Sequence, residues 1–278
     1  MTSIKRVSVS KNGQINHSDI AGYHLAIGVP RFLLRALGAW PDPEMQSNTS
    51  SLHFFIVASS MASFIIIPQT VKIYKSMTDI NTVIDLFVNC DVPVTIGFIK
   101  LFSAWYHRSV LRGLLVNMIE DWQTPRPERE SKIMWKNARL CRIISVSIFL
   151  LNNACVVTQI VQWANDLQEF KSTKLSSNNS DIEEWPLYFQ GSFPYNTQRT
   201  PMYELTILCQ IISVSFASVS YQSTDPLFII LMLHLIGQLT ILKMAVSELP
   251  DGTAGTEGEE GFVKRLTAVH TAHNRLWR

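Results

Sequence analysis

Few residues in this sequence have the types and spacing that chemistry requires. His270 and His273 stand three apart, which puts two imidazoles on one face of a helix and could hold a metal ion. They have no cysteine or acidic partner nearby, so no metal site is expected and the pair reads as a solvated helix face. Cys90, Cys141, Cys155 and Cys209 show neither a metal-ligand spacing nor a disulfide framework. The Gly-rich stretch from Asp251 to Gly261 carries Glu257, Glu259 and Glu260, which would repel phosphate, and reads as a flexible linker. With no phosphate loop, nucleophile elbow or metalloprotease helix, no catalytic residue and no cofactor is expected, and the chain is not read as an enzyme.

The remaining ionisable residues of interest lie within apolar surroundings: Asp85, Asp91, Lys100, Asp225 and His234. A charge inside a membrane span is costly and usually faces a bundle interior or a wet cavity. Asp85 could lie in the outer headgroup layer or serve function, Asp91 sits deeper, and Lys100 can snorkel to the interface. Asp225 precedes Pro226, whose missing amide proton loosens the preceding turn. The two are expected to mark a structural kink, with Asp225 holding freed backbone amides or a partner helix. His234 is expected to pack at the inner end of its helix rather than to act as a pH switch.

These residues need elements to position them, and composition indicates which kind. Of 278 residues, 17% are charged and 47% hydrophobic, and the net charge of +2 gives no footprint for nucleic acid. The apolar residues are clustered. Leu52 to Val71 and Ile143 to Asn165 contain no Lys, Arg, Asp or Glu, and Leu205 to Leu242 contains one acid, Asp225. About 20 residues at ~1.5 Å each cross a bilayer, so the fold class is all-α, a polytopic membrane helical bundle. The expected spans are residues 52–74, 80–106, 143–165 and a long kinked helix 204–246 that extends into the cytoplasm. Between them lie a cytoplasmic segment 1–51, a cytoplasmic loop 107–142, an extracellular loop 166–203, and a cytoplasmic linker 247–278 leading into a further helix.

Orientation follows from the basic residues. Five precede the first span, eight lie between the second and third, and five follow the last apolar run. Only two and three fall in the alternate loops. An inside N-terminus is therefore expected. The same count favours one long last helix over two spans joined near Asp225. The Asn178-Asn179-Ser180 sequon falls on the outer side, so Asn178 is a glycosylation candidate.

Leu37 to Pro41, Glu120 to Trp122 and Asp225 to Phe228 are stretches that resemble insect odorant receptors of the tuning type. Leu37-Gly38-Ala39-Trp40-Pro41 is similar to their N-terminal Gly-x-Trp-Pro signature. Glu120-Asp121-Trp122, with Glu130, Met134, Ala138 and Arg139, resembles their cytoplasmic approach to the third helix. Asp225-Pro226-Leu227-Phe228, then His234, Gln238-Leu239 and Leu242, looks like their fourth helix, and Leu266 with His270 resembles the approach to the fifth. The resemblance implies a ligand-gated, non-selective cation channel subunit that binds small volatile apolar odorants. Such a subunit works in olfactory signal transduction as a tetramer with a shared co-receptor, in the plasma membrane of olfactory sensory neurons. Its partners would be odorant, co-receptor and membrane lipid. The chain carries four of the family's seven helices and ends before the pore helix, so it resembles a C-terminally truncated receptor and is not expected to conduct alone. Gustatory receptors share this architecture, and a fragment of a secondary transporter is the alternative from another class.

In the family the pocket lies in the outer half of the bundle. Spacing by three and four selects Asn153, Val157 and Ile160 on the third span and Ile212 with Phe216 on the fourth as ligand-binding candidates. Ordinary helix packing or lipid contact uses the same residue types. The small residues Ser213, Ala217 and Ser220 read as permitting close helix approach.

Overall fold

The computed structural model describes residues 17–41, 48–88, 92–176 and 185–247, with 263, 266, 267 and 269–271 of the tail. Asp91, Cys90, Asn178 and His273 lie outside the described residues. Among those described, regular structure is entirely helical: α1 (His17–Ala36), α2 (Asn48–Met61), a π-helical turn (Ala62–Ile66), α3 (Ile67–Lys75), α4 (Ile80–Leu86), α5 (Val92–Tyr106), α6 (Arg108–Gln123), α7 (Glu128–Ser176) and α8 (Met202–Ser247). Among the described residues three stretches are long and apolar enough to cross a membrane: Ser51–Lys75, Glu128–Thr173 and Met202–Ser247. Val92–Tyr106 is a shorter apolar helix. Large apolar side chains stand uncovered along all of them, including Phe55, Ile56, Leu150, Leu151 and Phe228. Surface of this kind suits lipid rather than water.

The segment expected as a cytoplasmic tail contains a packed helix. In α1, Tyr23, Ala26, Ile27, Pro30, Leu33, Leu34 and Leu37 recur at helical spacing and are buried. This stripe docks on α6, α7 and α8. Gly38, at φ 69°, then stops the helix. The amides of Gly38 and Ala39 bond back to the carbonyls of Arg35 and Leu34, a Schellman closure that needs the left-handed residue. The Gly-x-Trp-Pro sequence is thus a helix stop that tucks Trp40 into the core, where it is 7% exposed.

Helix boundaries follow the backbone breakers rather than the charges. α7 contains neither Gly nor Pro and begins just past Pro127, so it continues well beyond 143–165 at both ends. α8 is one helix through Pro226. The segment expected as a single span 80–106 is described as α4 and α5, on either side of residues 89–91. In the first span Pro68 cannot donate an amide proton, and the turn before it widens, with the Ile67 amide reaching back to the Ala62 carbonyl.

α8 runs through the centre, against α1, α2, α5 and α7. Close approach to α5 depends on Gly97. A Cβ there would meet the Tyr221 ring at 3.0 Å and the Ala217 carbonyl at 3.4 Å. At Gly22 of α1 a Cβ would overlap the Trp122 ring of α6, whereas at Gly113 it would meet nothing within 4 Å. Gly22→Val is expected to lower thermal stability in detergent by about 1–3 kcal/mol, the usual cost of overpacking. Gly113→Ala should be neutral or stabilising, by up to ~1 kcal/mol of helix propensity. Equal melting of Gly22→Val and the wild-type chain would contradict the docking of α1.

Candidate ligand cleft and intramembrane ion pair

The end of the bundle where α4, α7 and the α7–α8 connection meet holds a cleft of about 550 Å³. One wall is a single face of α7, formed by Gln159, Gln162, Trp163 and Asp166 at helical spacing. Thr82 and Leu86 of α4 form a second wall, and the segment Pro186 to Gln190 a third. Asp79 caps α4. Its carboxylate accepts the Thr82 hydroxyl at 2.6 Å and the Asn81 amide at 3.2 Å. These bonds, Thr82's first, hold the carboxyl below its ordinary pKa. The cap is therefore fully formed above the ordinary aspartate range and is lost only as pH falls through the lowered value.

The third wall is an ordered lid formed by the connection between α7 and α8. Its backbone is fixed to three helices. The Gln210 side chain of α8 accepts from the Phe189 amide at 3.2 Å and donates to the Phe189 carbonyl at 2.8 Å. Trp163 of α7 and the Tyr203 hydroxyl of α8 both donate to the Pro186 carbonyl, at 3.4 and 3.0 Å. On α3, the Pro68 carbonyl accepts the Ser192 amide at 2.9 Å, and Lys72 and Lys75 donate to Gln190 and Ser192 at 2.8 and 2.7 Å. Tyr188 and Phe189 are buried beneath it, with Tyr188 edge-on to Trp163 at 6.0 Å. The polar sequence 166–203 gives little sign of this closure. The aromatic spacing Trp185, Tyr188, Phe189 was its one visible trace.

The ligand-binding candidates from sequence do not form one cluster. Ile160 and Phe216 pack against the core, while Val157 and Ile212 are 59% and 42% exposed on outer faces. Asn153 lies at the helix contact, its amide donating to the Phe149 carbonyl at 2.7 Å and to Gln222 of α8 at 3.3 Å. The side of α7 turned to the bundle runs instead through Asn152, Val156, Ile160 and Trp163. Spacing identified a face without fixing which way it points. Gln69 of α3 was not singled out. It is fully buried, and neither amide atom has a partner among the described residues.

Deeper along α8, Lys100 does not run to the interface. It donates to both Asp225 oxygens, at 2.8 and 2.9 Å, with its ammonium 4.4 Å from the Tyr221 ring centre. Tyr221 donates to the Pro93 carbonyl and Ser220 to the Gly97 carbonyl, both at 2.7 Å. Each helix thus supplies the counter-ion for the charge on the other, with the two side chains 33% and 42% exposed. Further along α8, His234 meets Asp121 at 3.0 Å, and Arg126 reaches Asp121 at 3.7 Å and Gln238 at 3.1 Å. This polar knot ties the α6–α7 connection to α8. Among the described residues no group of three or more His, Cys, Asp or Glu is placed to hold a metal ion.

The 7tm odorant receptor family matches residues 76–278, a stretch that takes in the cleft walls, the lid, the ion pair and the polar knot. The chain belongs to the odorant receptor family. No curated protein matches it. This odorant receptor is thus a multi-pass membrane protein from a receptor family, not an enzyme family.

Two outcomes are expected. Asp225→Ala or Lys100→Ala alone strands a charge and should reduce surface delivery severalfold. Lys100→Met combined with Asp225→Leu should recover most of it. Surface biotinylation reads both, and a double variant as poor as the singles would contradict the pairing. Asp79→Ala should speed amide exchange in residues 80–86 while leaving α8 unchanged; equal protection of 80–86 would show that the cap is idle.

Proposed function

We propose that this odorant receptor is a subunit of a ligand-gated cation channel in the plasma membrane of olfactory sensory neurons. It binds a small volatile ligand at its outer end and acts with a co-receptor subunit. The N-terminus and the basic loops face the cytoplasm, and the Asn178 sequon is a glycosylation site on the outer side.

The observation that carries this reading is the cleft between α4, α7 and the lid, whose volume suits a small organic molecule. Its walls come from separate elements, so a ligand seated there contacts all of them at once. A ligand that prefers one arrangement of lid and helices shifts the population toward it by its difference in affinity. A few kcal/mol of such preference is enough to switch a two-state element. Because α7 and α8 continue as unbroken helices to the inner knot, a change at the lid reaches the cytoplasmic side through rigid elements. Trp163 supplies an aromatic wall and Gln162 a hydrogen-bonding one. Ile160 and Phe216 lie on the core side, where a ligand's apolar part would extend.

The test is co-expression with a co-receptor and recording of odorant-evoked current across a ligand panel. Trp163→Ala and Gln162→Ala should each change the rank order of ligands at unchanged surface level, with the best ligand weakened about tenfold, as for loss of one aromatic or hydrogen-bonding contact. An unchanged ranking in both variants would sink the cleft as the ligand site.

A further inference from the structure

The inner part of α7 carries a basic face. Lys132, Lys136, Arg139 and Ile143 follow at intervals of four, three and four residues, which sets them on one side of the helix, with Trp135 and Leu140 beside them. With Glu128 and Ser131 they line a concavity of about 580 Å³. Met134, Ala138 and Cys141, on the other side of the same turns, are buried and hold α7 on the bundle. The basic face therefore looks outward. Lys132 is engaged by Glu128 at 2.9 Å. Lys136 and Arg139 are exposed and have no ion pair among the described residues.

Depth gives these cations a counterpart. At ~1.5 Å per residue, Arg139 lies roughly 6 Å and Lys136 roughly 10 Å from Ile143, where the apolar run begins. The headgroup layer occupies roughly 5–8 Å beyond the hydrocarbon, within reach of both long side chains. Leu140 and Ile143, 41% and 62% exposed, continue the lipid-facing surface of Leu150 and Leu151. Trp135 stands beside them, edge-on to Trp122 at 6.0 Å. A site that is cationic at one end and apolar at the other complements a molecule with a phosphate headgroup and a hydrocarbon tail.

We propose that this face of α7 binds an anionic phospholipid, with Arg139 and Lys136 on its headgroup oxygens and Leu140 and Ile143 along its acyl chain. The bound lipid fixes the depth of the helix whose outer half lines the ligand cleft. This inference requires α7 to cross the membrane but depends neither on its orientation nor on the identity of the outer ligand.

The full chain in mixed micelles exposes the site to any lipid from either side. Native mass spectrometry then compares retention of phosphatidylserine and phosphatidylinositol bisphosphate with that of phosphatidylcholine. The wild-type chain should prefer the anionic lipids. Lys136→Gln and Arg139→Gln should each reduce that preference about fivefold, and the pair together should abolish it. Lys243→Gln, an exposed cation on α8, and the charge-keeping pair Lys136→Arg with Arg139→Lys should leave it intact. Equal retention of all three lipids by the wild-type chain would overturn the proposal, as would an unchanged preference in Lys136→Gln/Arg139→Gln. Binding of soluble inositol trisphosphate as tight as that of the lipid would overturn the acyl-chain half of the site.

Discussion

In a membrane interior every polar group must find its partner within the protein, and α8 shows how far that demand shapes this receptor. Thr206, Gln210, Ser213, Ser220, Gln222, Ser223 and Gln238 are all buried along this one helix. Each level engages something different. Gln210 holds the lid backbone, Ser213 meets Ser60 of α2 at 2.7 Å, Ser220 reaches the Gly97 carbonyl of α5, and Gln222 meets Asn153 of α7. Asp225 takes Lys100, and Gln238 takes Arg126. Apolar contacts between helices gain little over contacts with lipid, so these polar bonds fix the register of each neighbour.

The same arrangement divides labour between the two longest helices. α8 meets α1, α2, α5 and α7 and is held by polar bonds at successive levels. α7 touches the bundle along one side, and much of its length is open, with Leu151 67% exposed. The cleft lies where the open helix meets the lid that the fixed helix holds. On the proposed function, a ligand there would act on the less constrained partner while the other supplies the reference frame.

Much of the architecture was legible in the sequence, because uncharged runs such as 52–71 and 143–165 must be buried in something apolar. Helix ends were less legible. Charges mark where a helix leaves the membrane, not where it stops, and α7 runs on at least as far as Ser176. α1 was legible in principle, through apolar residues at 23, 26, 27, 30, 33, 34 and 37, but its basic residues and Pro30 masked the stripe. The partner of Asp225 was not legible, since Lys100 lies 125 residues away and only the fold brings them together. The lid was not legible either, because its order comes from backbone groups bonding to Gln210 and Pro68, which no side-chain pattern announces. For the same reason the three-and-four spacing of Asn153, Val157 and Ile160 defined a stripe but left its direction open.

α8 is a polar column that sets the register of its neighbours, and the contact between Ser60 and Ser213, 153 residues apart, is its most direct test. With the native cysteines replaced by serine, Ser60→Cys and Ser213→Cys should be introduced together and the membranes oxidised. An intramolecular disulfide that alters gel mobility, and is absent when Ser213→Cys is replaced by Ser218→Cys, is the result expected from this arrangement. Failure of the first pair to cross-link, or equal cross-linking of both, would contradict it.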